Sequence, residues 1–124
     1  MTLAAAHYDK FKEQIVAEGV VFTFVESYEY LVLQVDGHEV IPFWSSRSRM
    51  EKVQAEHPKY RGFDIKEMHL TEFVDWLPKL GEGGIRIGTN WSGKRLTGYD
   101  VEAKDLLAGL QYWIDKKVAG GTPP

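Results

Sequence analysis

The pair Asp36-Gly37 constrains this chain more than any other feature. It lies between two strand-like runs, Tyr30-Leu31-Val32-Leu33-Gln34-Val35 and His38-Glu39-Val40-Ile41. A two-residue link of Asp-Gly type is the sequence of a type I′ hairpin, because both central residues need positive φ. An antiparallel hairpin is therefore the expected seed of the fold. A further run, Val20-Val21-Phe22-Thr23-Phe24-Val25, precedes it and is apolar on both faces, as in a strand covered from both sides. Pro42 cannot donate to a ladder, so the third strand is predicted to end there or to lie at an edge.

Helical period accounts for most of the rest. Ala4, Tyr8, Phe11 and Ile15 share one stripe, closed by Gly19 as an αL cap. Ser45 or Ser46 can cap a helix with a thin inner face of Met50 and Val53, which Pro58 terminates. Phe63 and Ile65 alternate with polar neighbours as a short strand. Thr71 is the expected cap of a helix bearing Phe73, Val74, Leu77 and Leu80, with Pro78 stopping or kinking its last turn. Ile85 to Gly88 reads as a strand, Asn90 to Lys94 as a turn and Arg95 to Tyr99 as a paired strand. Asp100 then caps a final helix striped with Ala103, Leu106, Leu107, Leu110, Trp113, Ile114 and Val118. The order α-β-β-β-α-β-α-β-β-α, with consecutive hairpins, predicts an α+β domain with a mostly antiparallel or mixed sheet under packed helices. One domain is expected over residues 4–119, with 120–124 as a disordered C-terminal tail. Its predicted core is Phe22, Phe24, Leu31, Leu33, Ile41, Phe73, Leu77, Ile87, Leu106, Leu107 and Leu110.

Composition excludes several function classes. Over 124 residues, 44% hydrophobic and 27% charged is the balance of a globular chain, and no apolar run approaches the length of a membrane span. Zero cysteines leave no disulfide, thiolate metal site or cysteine nucleophile. Residues 1–10 lack a basic n-region and an apolar h-region, so the expectation is a bacterial-type cytoplasmic protein. A net charge of −3 offers no general attraction to nucleic acid or an anionic membrane. The basic stretch from Arg47 to Arg61, with Trp44 and Tyr60 at its ends, reads more simply as a solvated helix face than as a nucleic-acid-binding patch.

Motif matches fail on context. Gly88-Thr89-Asn90-Trp91-Ser92-Gly93-Lys94 has phosphate-loop spacing, but Arg95 replaces the required Ser or Thr and no helix follows. His7, His38, His57 and His69 lack metal-site spacing, so no metal and no cofactor are expected. Ser45 and the pair Asp36/His38 lie at opposite ends of a strand, which defeats a serine triad. No catalytic residue is assigned.

Tryptophan remains. Trp113 belongs to the last helix's stripe, whereas Trp44 and Trp91 occupy junctions and Trp76 lies off the line of its helix. A loop tryptophan either covers the core or anchors a partner. The candidate binding surface is accordingly Trp44, Ser45, Trp76, Asn90 and Trp91, for a protein partner not identified by the sequence. The alternative is a small-ligand pocket or an enzyme site of unknown chemistry near Trp44, Asn90 and Trp91, with Asn90, Ser45 and Tyr99 as its polar groups. Adjacent Tyr112 and Trp113 cannot both face one core, so one meets solvent or a second copy in a homodimer.

Four stretches together resemble a bacterial family known as domain of unknown function 2750. They are Val40-Ile41-Pro42-Phe43-Trp44-Ser45-Ser46, Glu72-Phe73-Val74-Asp75-Trp76-Leu77-Pro78, Gly88-Thr89-Asn90-Trp91, and Leu96-Thr97-Gly98-Tyr99-Asp100-Val101 running into Asp105-Leu106-Leu107. The resemblance spans about Tyr8 to Leu110 and implies a fold but no catalytic residues. More remotely, Ile41-Pro42-Phe43-Trp44-Ser45-Ser46 and Thr89-Asn90-Trp91 are similar to elements of the SseB-like domains, with Trp91 where those tend to carry proline.

Overall fold

A computed structural model describes residues 2–121. The expected hairpin is present: Asp36 and Gly37 have φ of 49° and 82°, and β3 (Leu33–Val35) pairs antiparallel with β4 (His38–Phe43). The predicted strand over 30–35 is divided. Tyr30 falls in β2 (Glu29–Tyr30) on β1 (Val20–Glu26), Leu31 and Val32 lie in no strand, and Leu33 to Val35 become β3 on a different sheet. The first sheet runs β2-β1-β5, with β5 spanning Asp64–His69. The second runs β3-β4-β6-β7, with β6 over Arg86–Ser92 and β7 over Thr97–Val101. A single antiparallel bridge, Phe22 to Trp44, joins the two.

Three helices cover one face and one the other. Residues of α1 (Leu3–Glu18), α3 (Leu70–Glu82) and α4 (Ala103–Gly121) bury Phe11, Ile15, Phe73, Leu77, Leu106 and Leu110 against Val21, Ile41 and Ile87. On the opposite face, Met50 and Val53 of α2 (Arg47–Glu56) and Tyr60 of a 3-10 turn (Pro58–Tyr60) pack on Phe22, Phe24 and Val40. Neighbours such as Val21 and Phe22 enter different cores because side chains alternate across a strand. The α+β class and element order follow the sequence pattern. Leu33 and Leu107 are only half-buried, so neither is the fully packed core residue expected.

Local expectations are corrected at four places, three of them by a partner distant in the chain. Pro42 neither ends β4 nor lies at an edge; it is buried in a strand paired on both sides. Residues 40, 42 and 44 turn their backbone groups to the same side, toward β3 at Val40 and toward β1 at Trp44. Pro42 falls in the gap between those ladders, where no N–H is needed, and Thr23 Oγ1 donates to its carbonyl at 2.8 Å. Helix α3 starts at Leu70 after His69, without Thr71 as cap, and runs through the exposed Pro78 to Glu82. The Val74 carbonyl that Pro78 leaves unpaired within the helix costs little where water is near. Asp100 stays in β7, its carboxylate accepting from Arg86 Nε at 3.0 Å instead of capping α4. Helix α4 continues to Gly121, and residues 122–124 of the expected tail lie outside the described residues.

The β1–β2 hairpin carries a turn that the sequence did not signal. Ser27 and Tyr28 have φ of 52° and 70° without glycine or asparagine, and Tyr28 is fully exposed. An L-residue there costs about 1–2 kcal/mol. Tyr28→Gly is therefore expected to raise stability by about 1 kcal/mol, read as a higher urea midpoint at unchanged m-value.

Candidate functional site

The fourth correction lies at the predicted Asn90–Lys94 turn. Strand β6 runs through Asn90 and Trp91 to Ser92, and the turn is displaced to Gly93–Leu96, closed by the Leu96 N–H on the Gly93 carbonyl. Register against β7 shifts between Thr89 and Ser92, marking a bulge, and Asn90 sits in it at φ 51°. Asparagine tolerates that left-handed backbone better than most residues. The bulge turns the Asn90 side chain inward, where its Oδ1 accepts from the Ser45 N–H at 2.9 Å and its Nδ2 donates to Ser45 Oγ at 3.0 Å. Nδ2 also reaches toward the His7 carbonyl at 3.5 Å, and Ser45 Oγ donates to Gln14 Oε1. Asn90 and Ser45 are both fully buried. One amide thus ties the β4–α2 junction to the bulge and to α1.

The two neighbouring tryptophans extend this tie. Trp44 Nε1 donates to the Trp91 carbonyl, and Trp91 Nε1 donates to the Tyr99 carbonyl, each at 2.8 Å. The Trp91 ring lies over the sheet where Gly88 and Gly98 leave room: a Cβ on either would come within 2.7 Å and 2.6 Å of the indole, respectively. Both glycines are needed for this close approach rather than for positive φ. Gly98→Ala is expected to cost about 1–3 kcal/mol by displacing the ring, with altered tryptophan emission. Unchanged stability would mean that the ring can shift freely.

A family model described as Protein of unknown function (DUF2750) matches residues 8–110. The chain belongs to the DUF2750 family. No curated protein matches it. Two of the stretches that carry the resemblance, Pro42-Phe43-Trp44-Ser45 and Gly88-Thr89-Asn90-Trp91, are therefore in this DUF2750 domain the two halves of one buried lock.

That placement decides what the candidate residues can do. Trp44 and Trp91 are 0% and 4% exposed, so both rings chiefly cover core. Ser45 and Asn90 spend their polar atoms on each other, Gln14 and backbone, and no base contacts the Ser45 hydroxyl. Trp76 stands apart from the other four. It is half-buried on α3, 4.7 Å from the Tyr30 ring and 6.1 Å from that of Phe43. With Tyr30, Met68, Thr71, Glu72, Asp75 and Lys79 it lines a cavity of about 570 Å³. Tyr99, the third polar group of the alternative pocket, is exposed and rests on Tyr8. Of the pair on α4, Tyr112 meets solvent and Trp113 is half-buried.

Sequence reasoning missed Gln14, an ordinary polar helix position, and the clearing role of Gly88 and Gly98. The two glycines flank Trp91 within ten residues, which is the one signal that could have found them. Among the described residues no group of three acidic, His or Cys side chains could hold a metal, and no helix is long and apolar enough to cross a membrane.

Proposed function

We propose that this DUF2750 domain is a non-catalytic protein-binding module that docks through the face formed by Tyr30 and Trp76. The occupant is a protein segment presenting a basic side chain beside an apolar one. The carrying observation is the exposure of Trp76: of the five candidate residues it is the most exposed aromatic, over a cavity lined by Met68 and rimmed by two acids, Glu72 and Asp75, against the single cation Lys79. Neither carboxylate takes part in an ion pair among the described residues. Partly wet aromatics ringed by unpaired charge are the usual make-up of an interface centre and rim. Tyr28, on the same hairpin as Tyr30, supports the reading, since a strained and fully exposed aromatic contributes nothing to the core. The cysteine-free sequence supports a cytoplasmic setting.

Selection from a displayed random-peptide library against the purified domain tests this. Selected peptides are expected to combine Lys or Arg with Leu or Phe, and to lose affinity at least about tenfold against Asp75→Lys and against Trp76→Ala. Asp75→Lys is a surface change that leaves packing intact, so it remains decisive if Trp76→Ala fails to fold. Peptides that bind both variants as tightly as the parent domain, or that are enriched in acidic residues, overturn the proposal.

A further inference from the structure

A second cavity, independent of the Trp76 face, lies between α1, α2 and the end of β6. It has a volume of about 350 Å³, within the range of small-molecule sites. Its cationic and polar lining comes from His7 on α1, Arg49 and Lys52 on α2, and Ser92 at the end of β6. Leu3, Val53 and Trp91 supply the apolar part of the lining. Glu56 is the one acidic residue of the lining, and it lies 3.9 Å from Lys52 Nζ. Arg49 is half-buried, yet among the described residues its guanidinium makes no hydrogen bond or ion pair.

An arginine partly withdrawn from water without a counter-ion is costly unless an anion completes it. In a chain of net charge −3, setting Arg49 and Lys52 around one cavity against the single acid Glu56 also runs against the overall balance. From these observations we propose that the cavity binds a small phosphate monoester, its phosphoryl group held by Arg49 and Lys52 and its apolar body against Val53 and Trp91. The guanidinium fork matches a phosphoryl group in geometry and charge, and a lysine adds a point charge beside it. At His7, burial first and then the nearby charges of Arg49 and Lys52 hold the pKa below the ordinary histidine value, against an opposing hydrogen bond to the Asn90 backbone. A polyanion is a poorer fit, because the rest of the surface is net acidic.

Phenyl phosphate, inorganic phosphate and phenol are the probes, read by thermal shift and by tryptophan emission. Phenyl phosphate is expected to give a saturable rise in melting temperature at millimolar concentration or below. Inorganic phosphate should bind more weakly and phenol should leave the protein unchanged. Arg49→Gln should weaken phenyl phosphate binding at least about tenfold. Lys52→Gln, at a solvent-exposed side chain, should weaken it by a smaller factor and serves if the first variant does not fold. Absence of a saturable response, or a response that Lys52→Gln and a folded Arg49→Gln both retain in full, overturns the proposal. Loss of peptide binding on the Trp76 face does not bear on this result, since the two cavities share no residue.

Discussion

Trp44→Ala is expected to destabilise the domain by about 3–5 kcal/mol, the range for removing a large aromatic from a packed core. Trp44 is completely buried at the one bridge between the two sheets, its ring 5.1 Å from that of Phe24 and its indole N–H on the Trp91 carbonyl. Truncation removes the ring that fills this seam and leaves the carbonyl without its partner. For a domain of this size that is a large share of total stability, and partial unfolding at room temperature would be no surprise. Trp44→Phe separates the contributions: it keeps most of the apolar volume and loses the hydrogen bond, at an expected cost of about 1–3 kcal/mol. Urea denaturation followed by far-UV circular dichroism measures both. A cost under about 1 kcal/mol for Trp44→Ala would show that the seam repacks and that the two sheets do not depend on this ring.

Asn90→Ala is the second large effect, expected at about 3 kcal/mol from two distinct sources. The first is the loss of the amide that serves the Ser45 N–H and hydroxyl, both interior. An unpaired buried backbone donor costs about 1–3 kcal/mol by itself. The second is the bulge conformation at φ 51°, which alanine adopts at a penalty of about 1–2 kcal/mol and glycine adopts freely. Asn90→Gly is therefore expected to fall between the parent and Asn90→Ala, and the difference between the two variants measures the backbone share. Equal destabilisation by both would mean that the bulge stores no strain and that the hydrogen bonds carry the whole effect. Because Ser45 shares these bonds, Ser45→Ala combined with Asn90→Ala should cost less than the sum of the single changes.

These two residues also show where reading the chain falls short. The Asp36-Gly37 turn, the helix stripes and a serine cap at position 45 or 46 are legible because each is fixed by residues within a few positions of one another, and the structure assigns the cap to Ser46, whose Oγ accepts from the Arg49 N–H. The α+β class followed from their order. Asn90 to Lys94 reads as a turn for an equally local reason, since glycine, asparagine and serine cluster there. Its actual state depends on Ser45, 45 residues away, and on His7, 83 residues away. Likewise Pro42 marks an edge in most strands, and here the ladder has a gap to receive it.

The set of elements, their order and much of the core therefore follow from the residues alone, because backbone dihedrals and hydrophobic period are local properties. Long-range packing places Trp44, Ser45, Asn90 and Trp91 inside and leaves Trp76 with Tyr30 half-buried at the surface. The physical reason lies in satisfaction at a distance. A buried amide or indole N–H is stable only where a distant segment offers the matching group, and nothing in the neighbouring residues records whether that segment arrives.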